Sequence, residues 1–243
     1  MALDLLELQP FFRRSGEAAP VSVTAETEIV ETQTLLQTLS PASVVGSLGL
    51  GIFCVCADHL LQLPQVQQHM WLHAVADNAV HGAIGLWSWA IVIGLRTWSD
   101  ICEVALAGCL ASVVDLDHFY EARSLSLKAA VSLSHRPPLH CSSVIPVLCG
   151  SLRLLTGACR LGHPWCSLPW LLFLSLASHH LRDATRRGLW LWPLGSTPPL
   201  PYWLYVALTS TLPHLCSVLM SFFGTRDTTS SKLMSELTCF NFI

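Results

Sequence analysis

Apolar and polar residues fall along this chain in long blocks rather than in short alternation. Six runs are almost free of charge: 42–63, 77–95, 101–118, 139–159, 165–183 and 201–223. A bilayer hydrocarbon core takes about 20 mostly apolar residues per helix, and each run approaches that length. Pro64 closes the first run, the Arg96–Asp100 turn bounds the second, Pro137-Pro138 precede the fourth and Pro201 opens the sixth. Pro146 and Arg153 interrupt the fourth, which makes it the weakest. The pattern predicts an all-α membrane protein with about six transmembrane helices, five or six in all. Residues 1–41 read as a polar, acidic, partly disordered N-terminal tail with a short helix over 26–38. Residues 42–223 form the multi-pass helical domain, and 224–243 a C-terminal tail.

Composition agrees. The chain is 52% hydrophobic and 12% charged, with mean hydropathy +0.51, whereas a soluble domain carries roughly a quarter charged residues. The lipid bilayer is therefore the expected partner. A net charge of −3 gives no footing for nucleic acid. The ten cysteines form no C-x-x-C and read as reduced, small hydrophobes. Residues 1–12 lack a basic region and soon meet Pro10, so no signal peptide is expected and the localisation is that of a multi-pass membrane protein. The nine Trp fall mostly near run ends, as an interfacial aromatic belt requires. Ala42, Gly46, Ser47 and Gly51 give the small-residue spacing of close helix packing.

The alternation of six spans has a chemical consequence. Loops 1–2, 3–4 and 5–6 share one side. Asp58 and His59 end the first run, Asp77 and His81 start the second, and Asp115, Asp117 and His118 end the third. His135 and His140 lie in the following loop and the start of the fourth, and His179, His180 and Asp183 end the fifth. All of these reach the same face, including five of the eight Asp in the chain. Asp77/His81 and His179/Asp183 are i, i+4 pairs, each on one helix face. Asp115 and Asp117 diverge on a straight helix and converge only where the span turns. Mixed imidazole and carboxylate donors suit zinc, manganese or iron, and a divalent metal, zinc or manganese, is the expected cofactor. A cation also offsets the cost of a carboxylate near hydrocarbon, several kcal/mol on the order of the insertion scales.

The bland reading competes residue by residue, because one Asp or His at a span end also suits headgroups and water. His69 and His73 read as solvated loop residues, and His214 beside Pro213 as a partner for a freed carbonyl. Arg182, Arg186 and Arg187 suit either lipid headgroups or a phosphate-bearing substrate.

Four segments occur in order: Asp77-Asn78-Ala79-Val80-His81; Asp115-Leu116-Asp117-His118; His135-Arg136-Pro137-Pro138-Leu139-His140-Cys141-Ser142; and Ser178-His179-His180-Leu181-Arg182-Asp183 with Gly188 and Trp192-Pro193. This series resembles the YdjM-like family of membrane-bound metal-dependent hydrolases, with its early His, D-x-D-H, H-R-G-x-T-H-S and S-H-x-x-x-D followed by G and W-P. The chain departs from that pattern at Pro137, Leu139 and Cys141. The resemblance implies metal ligation by His81, Asp115, Asp117, His118, His135, His140, His179 and Asp183. Asp115, Asp117 and His140 would be catalytic, with Arg136 and Arg182 binding an anionic substrate. Two functions follow as expectations. One is a metal-dependent hydrolase acting on a lipid or phosphoester at the membrane face. The other is a non-catalytic scaffold or transporter-like helper whose polar cluster is a structural metal site or an ion-pair network.

Overall fold

The computed structural model describes residues 39–223 apart from 160 and 162. The expected helix over 26–38 and the C-terminal tail lie outside the described residues. Six long helices carry the architecture: α1 (Pro41–Leu61), α3 (Met70–Ile93), α4 (Trp98–Val113), α7 (Val144–Ala158), α8 (His163–Arg187) and α9 (Tyr202–Phe222). Short pieces sit at the connections: α2 (Pro64–Gln67), α5 (Leu116–Glu121), α6 (Leu127–Val131), a 3-10 turn at Pro138–His140, and a hairpin of β1 (Trp190–Leu191) and β2 (Gly195–Ser196). The hairpin strands are antiparallel, with Trp190 opposite Ser196.

Local chemistry sets these limits. Ser40 caps α1, accepting from the Ser43 N–H, with Pro41 preset in the first turn. A reciprocal Thr97–Asp100 capping box starts α4. Gly94, at φ 68°, ends α3 in a conformation that side chains disfavour. The apolar runs locate the six helices, but several limits move. α3 starts at Met70, seven residues before the expected 77, which puts His73 on a helix rather than in a loop. α7 starts at Val144, not at 139, so that Pro146, which has no N–H to give, lies in the first turn where none is needed. α4 stops at Val113, and the chain turns before α5. That turn is the break that Asp115 and Asp117 need to converge.

α3 and α8 are the central helices, each packed against four of the other five long ones. The α3–α4 contact is the closest. A Cβ on Gly85 would stand 2.7 Å from Ala111 Cβ, and one on Gly82 would stand 2.5 Å from Ser112 Oγ. The core of this end-to-end contact is Trp89, Val92, Val104 and Ala107, met by Leu171 and Leu174 of α8 and Leu212 and Cys216 of α9. Apolar side chains also point outward: Val45, Leu48 and Ile52 on α1, Leu154 on α7 and Leu215 on α9 are all exposed. Helices α1 and α9 are long and apolar enough to cross a membrane, and only 33% and 39% of their most apolar stretches are buried within the protein. A core helix of a soluble protein is mostly buried. Helices apolar on both faces suit lipid. The nine described cysteines are free thiols. His214 places Nε2 2.8 Å from Ser47 Oγ and ties α9 to α1.

Candidate metal centre

His179 and Asp183 lie one turn apart on the same stripe of α8. Asp115 follows the last turn of α4, and His140 ends the 3-10 turn. Their ligand atoms lie within 4.8 Å of one another. His140 Nε2 is 3.3 Å from His179 Nε2, 3.5 Å from Asp115 Oδ1 and 3.3 Å from Asp183 Oδ2. His179 Nε2 is 3.6 Å from Asp115 Oδ1 and 3.5 Å from Asp183 Oδ2. A tetrahedron with metal–ligand bonds of about 2.0–2.2 Å has edges of about 3.3–3.6 Å. Five edges of this tetrad have that length.

Tautomers sharpen the fit. His179 is fully buried, and its Nδ1 donates to the Ala111 carbonyl at 2.8 Å. A carbonyl only accepts, so Nδ1 carries the proton and the Nε2 lone pair points into the tetrad. His140 is held likewise, with Nδ1 3.2 Å from Asp117 Oδ2. Two nitrogen lone pairs and two carboxylates therefore face one point, which is repulsive unless a cation sits there. Such outer partners fix ring orientation in metal-ligating histidines. His140 sits outside the long helices. Burial alone would lower its pKa, but the hydrogen bonds it gives to Asp115, Asp117 and Asp183 push it up to about 11. Without an ion, the tetrad thus holds a proton as its cation.

The expected ligands separate into shells and outliers. Asp115, His140, His179 and Asp183 converge. His81 sits behind them, with Nε2 3.4 Å from the far oxygen of Asp183 and its ring stacked on His179 at 3.9 Å. Asp117 stands behind His140 and also accepts the Leu139 N–H at 3.0 Å. His118 turns Nδ1 to the Ala130 carbonyl at 3.2 Å, and joins Asp117 and His140 in a second, looser group. His135 lies apart. It is exposed and paired with Glu121 at 2.8 Å, because the turn that delivers His140 directs His135 to solvent. His180, outside the expected ligand set, holds that turn from α8, with Nε2 2.8 Å from the Leu139 carbonyl and Nδ1 3.1 Å from Ser142 Oγ. The Ser142 N–H donates to Trp190 O at 2.8 Å, fixing the turn to the hairpin. Pro137, Leu139 and Cys141 therefore still permit a well-placed His140.

Beside the tetrad is a second polar cluster. Arg182, buried, bonds Asp58 at 2.9 Å and Asp77 at 2.6 Å. Arg186 pairs with Asp77 at 2.8 Å, and Tyr202 Oη donates to Asp58 at 3.1 Å. Asp77 thus pairs with arginines rather than with His81, and Arg182, expected to bind substrate, is committed to carboxylates. The hydrogen bonds it donates to Asp77 hold the Arg186 guanidinium above its usual pKa. Arg136 donates to Gly188 O at 2.9 Å and to Arg187 O. Gly188 is required there. At φ 71°, a Cβ would stand 1.9 Å from Thr197 O. A pocket of about 370 Å³ reaches Asp115, His140 and Asp183 of the tetrad, and Arg136, Arg186 and Arg187 on its rim. His73, read as a loop residue, lines it as well.

Fold and site define an all-α helical bundle, with two helices able to cross a bilayer, that gathers His and Asp side chains at one end. A Danio rerio chain named "Transmembrane protein 267" is 65% identical over 215 residues, covering 88% of this chain and 96% of the relative. Chains of the same name from Bos taurus and Mus musculus are 56% and 53% identical, covering 86% and 84% of this chain and 96% and 95% of their own length. The chain belongs to the transmembrane protein 267 family, whose name agrees with the character of α1 and α9. No family model and no solved structure matches it.

Proposed function

We propose that this protein is a multi-pass membrane protein with about six spans and a divalent metal, zinc or manganese, held by Asp115, His140, His179 and Asp183. We propose further that it acts as a metal-dependent hydrolase on a lipid or phosphoester at the membrane face. The observation that carries this reading is the tetrad of converging donors, whose Asp115, His140 and Asp183 open onto the arginine-rimmed pocket while His179 is sealed behind. A closed structural site would bury all four. The resemblance of the motif series to that of YdjM-like hydrolases supports the same reading, and the exposed apolar side chains of α1, α7 and α9 support a multi-pass protein.

A bound divalent ion would supply Lewis acidity and an acidified water. The chain's own residues do the rest. Asp117 holds the Nδ1 proton of His140, and Ala111 O holds that of His179, so both Nε2 atoms stay aimed at the centre. His81 anchors the second oxygen of Asp183. Arg136 and Arg187 give an anionic group a docking place beside Asp115 and Asp183. Asp115, half-exposed to the pocket, accepts a proton there through its free carboxylate oxygen.

The test is elemental analysis of full-length protein purified in detergent without chelator, together with hydrolysis of a phosphoester and carboxylester lipid panel. About one zinc or manganese per chain, and hydrolysis that His179→Ala abolishes, is the expected result. A metal-free wild type would replace this reading with the scaffold, whose neutral Asp58–Arg182–Asp77–Arg186 network would then be the function of the polar end.

A further inference from the structure

The pocket beside the tetrad has a second chemistry in its remaining walls. Of the arginines at this end, Arg182 and Arg186 are matched by the carboxylates of Asp58 and Asp77. Arg136 and Arg187 are left, and among the described residues neither forms an ion pair. Arg136 is held against the carbonyl end of α8 by Gly188 O and Arg187 O. Burial and the neighbouring Arg187 lower the Arg136 pKa, against the opposing pull of Asp183. Two cations kept side by side, with their counter-charges used elsewhere, favour an anion between them. Much of the remaining lining is apolar: Trp71, Val75, Phe119, Leu127, Val131 and Trp190.

The pocket's depth in the molecule adds a constraint. The two helices best suited to cross a bilayer end here, α1 at Leu61 and α9 starting at Tyr202. Their ends are joined through Asp58, Arg182 and Asp77, and Asp77 is itself a pocket wall. The pocket therefore lies where those helices leave hydrocarbon for headgroups. Around it Leu125, Trp192, Leu194 and Trp203 are exposed. Aromatic and apolar side chains at this level suit the interfacial layer. A water-borne phosphoester has no use for such a collar.

We propose that the pocket takes a membrane lipid carrying an anionic phosphate headgroup, with the phosphate between Arg136 and Arg187 and the upper part of one acyl chain along the apolar wall. A volume of about 370 Å³ is near the low end of small-ligand pockets, about 300–1,000 Å³. It admits a headgroup and the start of one chain, while the remaining lipid stays in the bilayer. The proposal deepens the hydrolase reading by naming its substrate class. Binding itself needs only the arginines and the wall.

The test uses full-length protein in detergent micelles with a fluorescent phosphatidic acid as the bound probe. Unlabelled phosphatidic acid, diacylglycerol and glycerol 3-phosphate compete for it. Phosphatidic acid should displace the probe at least ten times better than either diacylglycerol, which lacks the phosphate, or glycerol 3-phosphate, which lacks the chains. Arg187→Ala should weaken probe binding about tenfold. Its side chain is exposed, and the backbone carbonyl that holds Arg136 is retained, so the fold is kept. Val131→Trp, filling the apolar wall, should weaken binding by at least as much. Arg96→Ala, at the far end of the bundle, should change nothing. Equal competition by glycerol 3-phosphate, equal competition by diacylglycerol, or an unaffected Arg187→Ala each overturns the proposal. Metal content is read on the same samples. A metal-free chain that still selects phosphatidic acid removes the hydrolase reading and supports this one.

Discussion

Two polar clusters share one helix and differ in what they lack. On α8, His179 and Asp183 form one i, i+4 stripe, and Arg182 and Arg186 form the next. The arginine stripe meets Asp58 and Asp77, two cations against two anions, bonded at 2.6–2.9 Å. That cluster is balanced in charge. The histidine stripe meets Asp115 and His140 with lone pairs inward, and is incomplete without a proton or a metal. Equal proximity of polar groups therefore carries opposite meanings. Matched charges make a fastening between helices, and converging acceptors make a receptor for a cation.

The comparison breaks most easily at its fastening. Arg182→Ala leaves Asp58 without its arginine and Asp77 with Arg186 alone, and should cost about 3 kcal/mol. Thermal unfolding in detergent measures it, and a loss under about 1 kcal/mol would show that the cluster does not hold the helices. His179→Ala should act in the other sense: bound metal disappears from elemental analysis while helix content by circular dichroism is kept. If the fold collapsed instead, the two stripes would not be separate in function.

Asp117→Asn sharpens the ordering of shells. Asp117 orients His140 rather than sitting in the tetrad, so metal affinity should fall about 10–100-fold without vanishing. Competition with a chromophoric chelator reads this, and complete loss would promote Asp117 to a direct ligand. Proton release is a smaller effect. His140 keeps its proton to about pH 11 in the metal-free cluster, so the ion must displace it throughout the neutral range. On the order of one proton should appear per ion taken up at pH 7 in weak buffer, and affinity should fall on acidification. His135→Ala should change neither metal content nor stability measurably, because the ring is exposed and its pairing with Glu121 is a surface one, worth about 1 kcal/mol at most. Loss of metal in that variant would restore His135 to the ligands.

The tetrad members Asp115, His140, His179 and Asp183 all stood among the expected ligands, because loop parity alone brings them to one end. His81 and Asp117 belong to the same neighbourhood: His81 meets Asp183, and Asp117 meets His140 and groups with it and His118. The same parity cannot distinguish a donor that touches the centre from one that props up its neighbour. Arg182 was read as a substrate arginine, since nothing along the chain shows that Asp58 and Asp77, more than 100 residues away, turn toward it. The weakest run, 139–159, had its start misplaced because Pro146 fits equally a broken helix or a first turn.

Local sequence signals set the helices and the end at which the polar groups gather. Apolar blocks, prolines, the Thr97–Asp100 box and Gly94 act within a few residues, and counting blocks assigns each loop to an end. Which side chains meet depends on the packing of the helices. A helix turns about 100° per residue, so neighbours such as Arg182 and Asp183 face different partners, and the azimuth of each helix is set by packing. The tight approach of α3 and α4 at Gly82 and Gly85 fixes where His81 points, and the hold of His180 on the 3-10 turn fixes His140. Those contacts join residues far apart in the chain, and no local pattern encodes them.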